Sequence, residues 1–165
     1  MYIDLYYKII IGLCQIVEAK MKISEKGINF IINEEGEKLK AYICPAGVLT
    51  IGVGHTGKDV VPGMIITKEH SRELLKNDLK HFENAVETSV KISLKQHEYD
   101  SLISFAFNVG AEAFKKSTLL KKINALAPMI EIEAEFRKWV RGGGKVLPVL
   151  QKRREREIKF FKGEY

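Results

Sequence analysis

The sequence predicts an α+β fold that is mainly helical, in which a small β-hairpin unit precedes a larger set of helices. Three observations carry this. Ile28, Ile31 and Ile32 recur at helical spacing between Glu25 and Glu34, and Gly36 follows where a glycine stops a helix. Tyr42 to Val53 alternates β-branched residues around Pro45-Ala46-Gly47, which reads as two short strands and a turn. Beyond Thr67 the apolar residues fall mostly at a period of 3.6. A length of 165 residues suits one domain, or one domain of two lobes, and 45% hydrophobic with 29% charged residues is ordinary for a globular chain.

Met1 to Lys20 holds an uncharged core, Ile9 to Val17, between Lys8 and Glu18. That core is far short of the roughly 18 apolar residues a membrane-spanning helix needs, and no A-x-A site marks a cleavable signal. The next helix is capped by Ser24 and runs through Glu34, which puts Glu35 at its carboxyl end. The hairpin follows, with Gly52 and Gly54 at positions suited to positive φ or close backbone approach. Lys58 to Ile66 is a loop marked by Pro62-Gly63. Thr67 caps a helix of about six turns at 1.5 Å per residue, whose apolar stripe of Leu74, Leu75, Leu79, Phe82, Ala85 and Val86 has one polar break, Asp78.

Ser93 to Gln96 fits a capping box, which opens an apolar helix through Tyr99, Leu102, Ile103, Phe105 and Ala106 to Gly110. Ser117 starts a short helix, and Pro128 opens another through Ile132, Phe136 and Trp139 that Gly142-Gly143-Gly144 breaks. Pro148 begins the last helix, through Leu150, Ile158 and Phe161. Its charges, Lys152, Arg153, Arg154, Arg156, Lys159 and Lys162, read as a solvated face, because Glu155 and Glu157 interrupt the run and no nucleic-acid-binding motif accompanies it. Phe105, Phe114 and Trp139 read as core rather than as a sugar-binding wall.

The stretch that carries chemistry is Glu35 to His55: Glu35-Gly36, Tyr42, Cys44-Pro45-Ala46-Gly47, then Thr50-Ile51-Gly52-Val53-Gly54-His55. This order and spacing resemble the active-site segment of phage-type lysozymes, glycoside hydrolase family 24, the T-even and lambdoid-prophage endolysins. The phrases SFAFNVG (Ser104 to Gly110), STLLKKIN (Ser117 to Asn124) and RRERE (Arg153 to Glu157) resemble the same family, as does Trp139 to Lys145. The resemblance covers Ile23 to about Phe161 and implies a lysozyme-like two-lobed fold with a polysaccharide cleft. It implies a catalytic set of Glu35 as general acid, Cys44 at a position usually held by aspartate, and Thr50. Cysteine there is a departure shared by a subset of relatives. Val149 is a second departure, at a position where glycine is common.

The residues bear the implied chemistry. Glycoside cleavage needs a protonated carboxylic acid for the leaving oxygen and a second group on the other face of the sugar. At a helix carboxyl end the dipole disfavours an anion, and apolar neighbours would add to this, so Glu35 is placed to act as an acid. A free thiol at its ordinary pKa of about 8.5 is a scarce anion at neutral pH, so Cys44 serves as one only if its surroundings favour the thiolate. Glu34, Glu37 and Asp59 stand as other carboxylates, each read as surface charge. Asn108 is expected to bond substrate from the cleft side, and His55 to be structural beside the site.

No cofactor is implied, and the histidines at 55, 70, 81 and 97 show no metal-ligand spacing. The net charge of +6 suits an anionic partner such as bacterial cell wall. The expected function is an endolysin muramidase that cuts the β-1,4 bond between N-acetylmuramic acid and N-acetylglucosamine in peptidoglycan for host lysis. It would be made in the host cytoplasm and act on the wall as a monomer, without nucleic acid. A catalytically impaired wall-binding module and a lytic transglycosylase are the alternatives. Residues 21–165 are expected to form the catalytic domain. Residues 1–20 are an extension: a packed helix, a weak signal-anchor offering the only route to a membrane, or sequence upstream of a start at Met21. A Cys14–Cys44 disulfide capping the site is a further possibility.

Overall fold

The computed structural model describes residues 20–165, so the readings of the N-terminal extension and of a Cys14 partner for Cys44 lie outside the described residues. In chain order the elements are α1 (Glu25–Glu35), β1 (Lys38–Ile43), β2 (Leu49–Gly52), α2 (Lys68–Ser89), α3 (Gln96–Val109), α4 (Ala111–Lys116), α5 (Thr118–Asn124), α6 (Met129–Arg137), β3 (Arg141–Gly142), β4 (Lys145–Val146) and α7 (Pro148–Phe161). The expected α+β, mainly helical architecture is the one observed. None of the described helices is long and apolar enough to cross a membrane.

α1 is secured at both ends by its sequence. Ser24 Oγ accepts the Gly27 N–H at 3.1 Å, satisfying a first-turn donor. The Ser24 N–H in turn donates to Asp100 Oδ1 on α3 at 3.0 Å. A Cβ on Gly27 would come within 2.8 Å of Asp100 Cγ, so glycine is what allows this approach. Gly36, at φ 78°, ends the helix directly after Glu35. β1 and β2 then pair antiparallel with Tyr42 opposite Thr50 and Ile43 opposite Leu49, so the hairpin is longer on its first strand than the alternation alone suggested.

Two apolar clusters define two lobes. The small one is Ile51, Val60 and Ile66, joined by Leu39, Ala41, Leu49, Met64 and Leu74. The large one gathers Ile28 and Ile31 of α1, Leu75, Leu79 and Val86 of α2, most of the apolar face of α3, and Phe114, Leu120, Phe136 and Phe161. Adjacent residues of α2, Leu74 and Leu75, thus belong to different cores, and this helix ties the lobes together. Truncating a fully buried side chain such as Leu79 to alanine would cost about 2–5 kcal/mol.

Three local expectations need correction. Lys95 rather than Ser93 precedes α3, because the Glu98 carboxylate accepts the Lys95 N–H at 2.7 Å and closes the first turn there. Ala111–Lys116 forms an extra helix, too short to show a period. The helix opened by Pro128 ends at Arg137, before Trp139 and the glycine run, and Gly143 and Gly144, at φ 56° and 78°, instead turn the chain into the β3–β4 hairpin. Phe105 and Phe114 are buried core, as expected.

Candidate active site

Glu35 is the last residue of α1, with its side chain 28% exposed. Arg153 Nη1 on α7 donates to Glu35 Oε1 at 2.6 Å. The apolar surroundings expected for this carboxyl are therefore replaced on one side by a guanidinium. Arg153 is itself buried, and it donates through Nε to Glu157 Oε1 at 3.0 Å. Arg154, also buried, donates to Glu157 Oε1 at 3.1 Å and to Asn108 Oδ1 at 2.8 Å. Its guanidinium lies 4.9 Å from the centre of the Phe105 ring. Ser104 Oγ adds a third donor to Glu157 Oε1 at 2.9 Å.

Arg153 and Arg154 are thus not part of a solvated face. Arg154 lies four residues from both Leu150 and Ile158, which puts it on the apolar stripe of α7. A guanidinium there must be paired, and Glu157, one turn on, supplies the pair. Burial is the strongest influence on the Glu157 carboxyl and pushes its pKa up, against Arg154, Arg153 and the Ser104 hydroxyl. The two buried guanidiniums that share this carboxylate favour its ionised form. Removing one partner from such a cluster costs about 3–5 kcal/mol. Glu34, read as surface charge, is also largely covered: its side chain is 5% exposed and takes both Nε and Nη2 of Arg156.

The hairpin brings Cys44 and Thr50 together. The Cys44 N–H donates to the Val48 carbonyl at 2.9 Å, and Thr50 Oγ1 donates to the same carbonyl at 2.9 Å. Gly47, at φ 78°, makes this turn possible. Hydrogen bonding by the Val48 backbone, then by the Thr50 hydroxyl and the Ala46 backbone, holds the Cys44 thiol below its ordinary value. The Thr50 hydroxyl has one proton, so it serves the carbonyl or the sulfur at any moment. Thr50 is buried and Cys44 half-buried. Among the described residues no hydrogen bond joins Glu35 to either: the acid is anchored to the helical lobe, the other two to the hairpin.

His55 is held from both sides. Its Nδ1 lies 2.9 Å from Asp78 Oδ2, and its Nε2 lies 3.1 Å from Asp59 Oδ2. Burial, the largest influence, works against the imidazolium, but hydrogen bonding to Asp78 and Asp59 outweighs it and the His55 pKa is raised. Asp78 is the polar break in the α2 stripe, and pairing with His55 is its reason. Asp59 is exposed and bound to His55 rather than directed at Glu35. Among the described residues no His, Cys, Asp and Glu cluster could hold a metal ion.

A family model described as phage lysozyme matches residues 32–157. The chain belongs to the phage lysozyme family. The endolysin of Salmonella phage P22 is 45% identical over 145 residues, covering 86% of this chain and 98% of that protein. The endolysin of Bacillus phage B103 is 43% identical over 143 residues, and the match spans 54% of its length. In a crystal structure of a P22 lysozyme mutant, 44% identical, the alignment covers 86% of this chain and 99% of that one with a TM-score of 0.81. The two-lobed lysozyme fold expected from the sequence is therefore shown, and with it a glycosidase of the endolysin type, acting on peptidoglycan for host lysis.

Within this phage lysozyme, Glu35, Cys44, Thr50 and His55 all lie where α1 meets the hairpin or on the hairpin and its exit. Asn108 stands apart, at the end of α3, with Oδ1 taken by Arg154. Arg153, Glu157 and Asp78 were not picked out as site residues. Arg153 and Glu157 had a signal in the sequence, a charged i, i+4 pair on a helix face otherwise apolar.

Proposed function

We propose that this phage lysozyme cleaves the β-1,4 bond after N-acetylmuramic acid by hydrolysis, with Glu35 as the general acid and the Cys44–Thr50 pair as its counterpart. The observation that carries the reading is the fixed placement of the Glu35 carboxyl at the α1 terminus, held by Arg153 at 2.6 Å beside the hairpin. Glu35 gives its proton to the leaving oxygen. Thr50 orients the attacking water. Cys44 stands where a carboxylate is usual, and the donors around its sulfur favour the anion that the position requires. Asn108 bonds the glycan from the helical lobe, and His55 braces the hairpin against α2.

Residues 21–165 form the catalytic domain, which acts as a monomer on the wall after synthesis in the host cytoplasm. Digestion of purified peptidoglycan followed by mass spectrometry tests the reaction. Reducing N-acetylmuramic acid ends are expected. Anhydro ends would make the enzyme a lytic transglycosylase, and binding without release of fragments would make it a wall-binding module.

A further inference from the structure

We propose that Glu157, buried under α7 and out of reach of any glycan, is the positioning residue that holds both Glu35 and Asn108 in register through two arginines. The inference rests on the reading of Glu35 as the general acid. One Glu157 oxygen receives Arg153 Nε at 3.0 Å, Arg154 Nη2 at 3.1 Å and Ser104 Oγ at 2.9 Å. Arg153 reaches Glu35 with a second nitrogen, Nη1, at 2.6 Å, and Arg154 bridges from Glu157 to Asn108 through the same nitrogen, Nη2, at 2.8 Å. Two rigid forks therefore run from one fully buried carboxylate to the end of α1 and to the end of α3. Ser101 Oγ also donates to the Glu157 carbonyl at 2.8 Å, which pins this turn of α7 onto α3.

Arg153 and Arg154 supply two positive charges and Glu157 one negative charge, and Glu35 adds the second only after it has given up its proton. Glu34 and Arg156 neutralise each other alongside. From α3 the groups facing Glu157 are the hydroxyl of Ser104 and that of Ser101, and neither carries charge. With Glu157 ionised, Arg153 is shared between two carboxylates. Without that charge, Glu35 alone would answer two buried guanidiniums. A proton donor needs the shared arrangement, because an acid facing unbalanced cations gives up its proton too early in pH.

The test compares kcat, KM and the pH dependence of kcat for wild type, E35Q, E157Q, the charge-balanced double variant R154M/E157Q, and L119A. Leu119 is buried in the large core on α5 and controls for simple loss of stability. E157Q is expected to lower kcat at neutral pH by about tenfold or more, as a small misplacement of a catalytic group does, with KM within about twofold. The alkaline limb of kcat is expected to move to lower pH, and in R154M/E157Q to return toward wild type. L119A, assayed where it is folded, should leave the limb in place. A folded E157Q with the wild-type kcat and limb overturns the proposal, as does an equal shift in L119A. If E157Q does not fold, the double variant decides alone: a loss of kcat beyond that of L119A, with the limb near wild type, supports positioning, and wild-type kcat or a failure of both to fold leaves Glu157 a structural residue and overturns it. An active E35Q would instead sink the general-acid reading, which separates the two failures.

Discussion

Arg153 Nη1 meets Glu35 Oε1 at 2.6 Å across the junction of the last helix and the first. The two residues are 118 positions apart, and the contact joins the chain's carboxyl-terminal helix to the residue that ends α1. It fixes where the acid points before any substrate arrives.

Glu35→Gln should abolish lysis while the protein stays folded. The amide keeps the shape and still accepts from Arg153, but it has no acidic proton to give. Loss of general acid catalysis is worth about 100- to 10,000-fold in rate. Turbidity loss on permeabilised cells, read beside circular dichroism, checks this, and near wild-type lysis by a folded variant would reject the assignment.

Cys44→Asp should preserve or raise activity, and alkylation of Cys44 should inhibit. The thiol already sits among donors that favour its anion, so a carboxylate there meets the same partners. The wild type should lose activity as pH falls below the range where the thiolate persists, and Cys44→Asp should keep it to lower pH. Full lysis after complete alkylation would exclude a role for the sulfur. Comparing activity with and without reductant, in wild type and Cys14→Ser, tests a disulfide cap.

Much of this arrangement was legible in the chain. Ser24, Gly36 and the helical spacing of Ile28, Ile31 and Ile32 bound α1 to within a residue, because caps and periodicity act locally. The hairpin turn and the gathering of Cys44 and Thr50 followed from Gly47 and the alternation around it. Arg153 and Arg154 were misjudged because a charge run says nothing of which members face inward. Their burial is settled by Glu157 one turn on and by Ser104 on another helix, a pairing made in three dimensions. Asp78 showed only as an interruption of a stripe, since its partner lies 23 residues earlier on the hairpin exit.

Asp78→Asn should destabilise the protein by roughly 1–2 kcal/mol in mildly acidic solution and by less in alkaline solution. The sign follows from the raised His55 pKa. The pair's stabilisation is fully present below the unfolded histidine value of about 6.5 and is lost as pH rises through the higher folded value. Thermal melts of wild type and Asp78→Asn at pH 5.5 and pH 9 check this. An equal difference at both would show that the pair's charge contributes nothing.

Deleting residues 1–20 should leave a soluble, active enzyme, whereas deleting through Ser24 should not. Met21 O accepts the Tyr99 hydroxyl at 3.1 Å, the Ile23 N–H donates to Glu83 at 2.8 Å, and Ser24 caps α1. Lys20 adds only a surface contact with Glu87 at 3.2 Å, worth at most about 1 kcal/mol. Lysis assays and melting of both truncations decide the boundary. Aggregation of the shorter deletion, or membrane fractionation of the full chain alone, would assign the extension a part in folding or anchoring.

The helix shared by the two cores has a kinetic corollary. Glu35 moves with the helical lobe, because Arg153 pins it to α7, while Cys44 and Thr50 ride on the hairpin. The hairpin lobe is joined to the rest through Gly36 and through α2 near Leu74 and Leu75. Any rocking of one lobe on the other therefore widens or narrows the gap between Glu35 and the Cys44–Thr50 pair. On the roles proposed for these residues, a motion that opens the cleft to release cleaved glycan also separates them, and the next cycle requires their return.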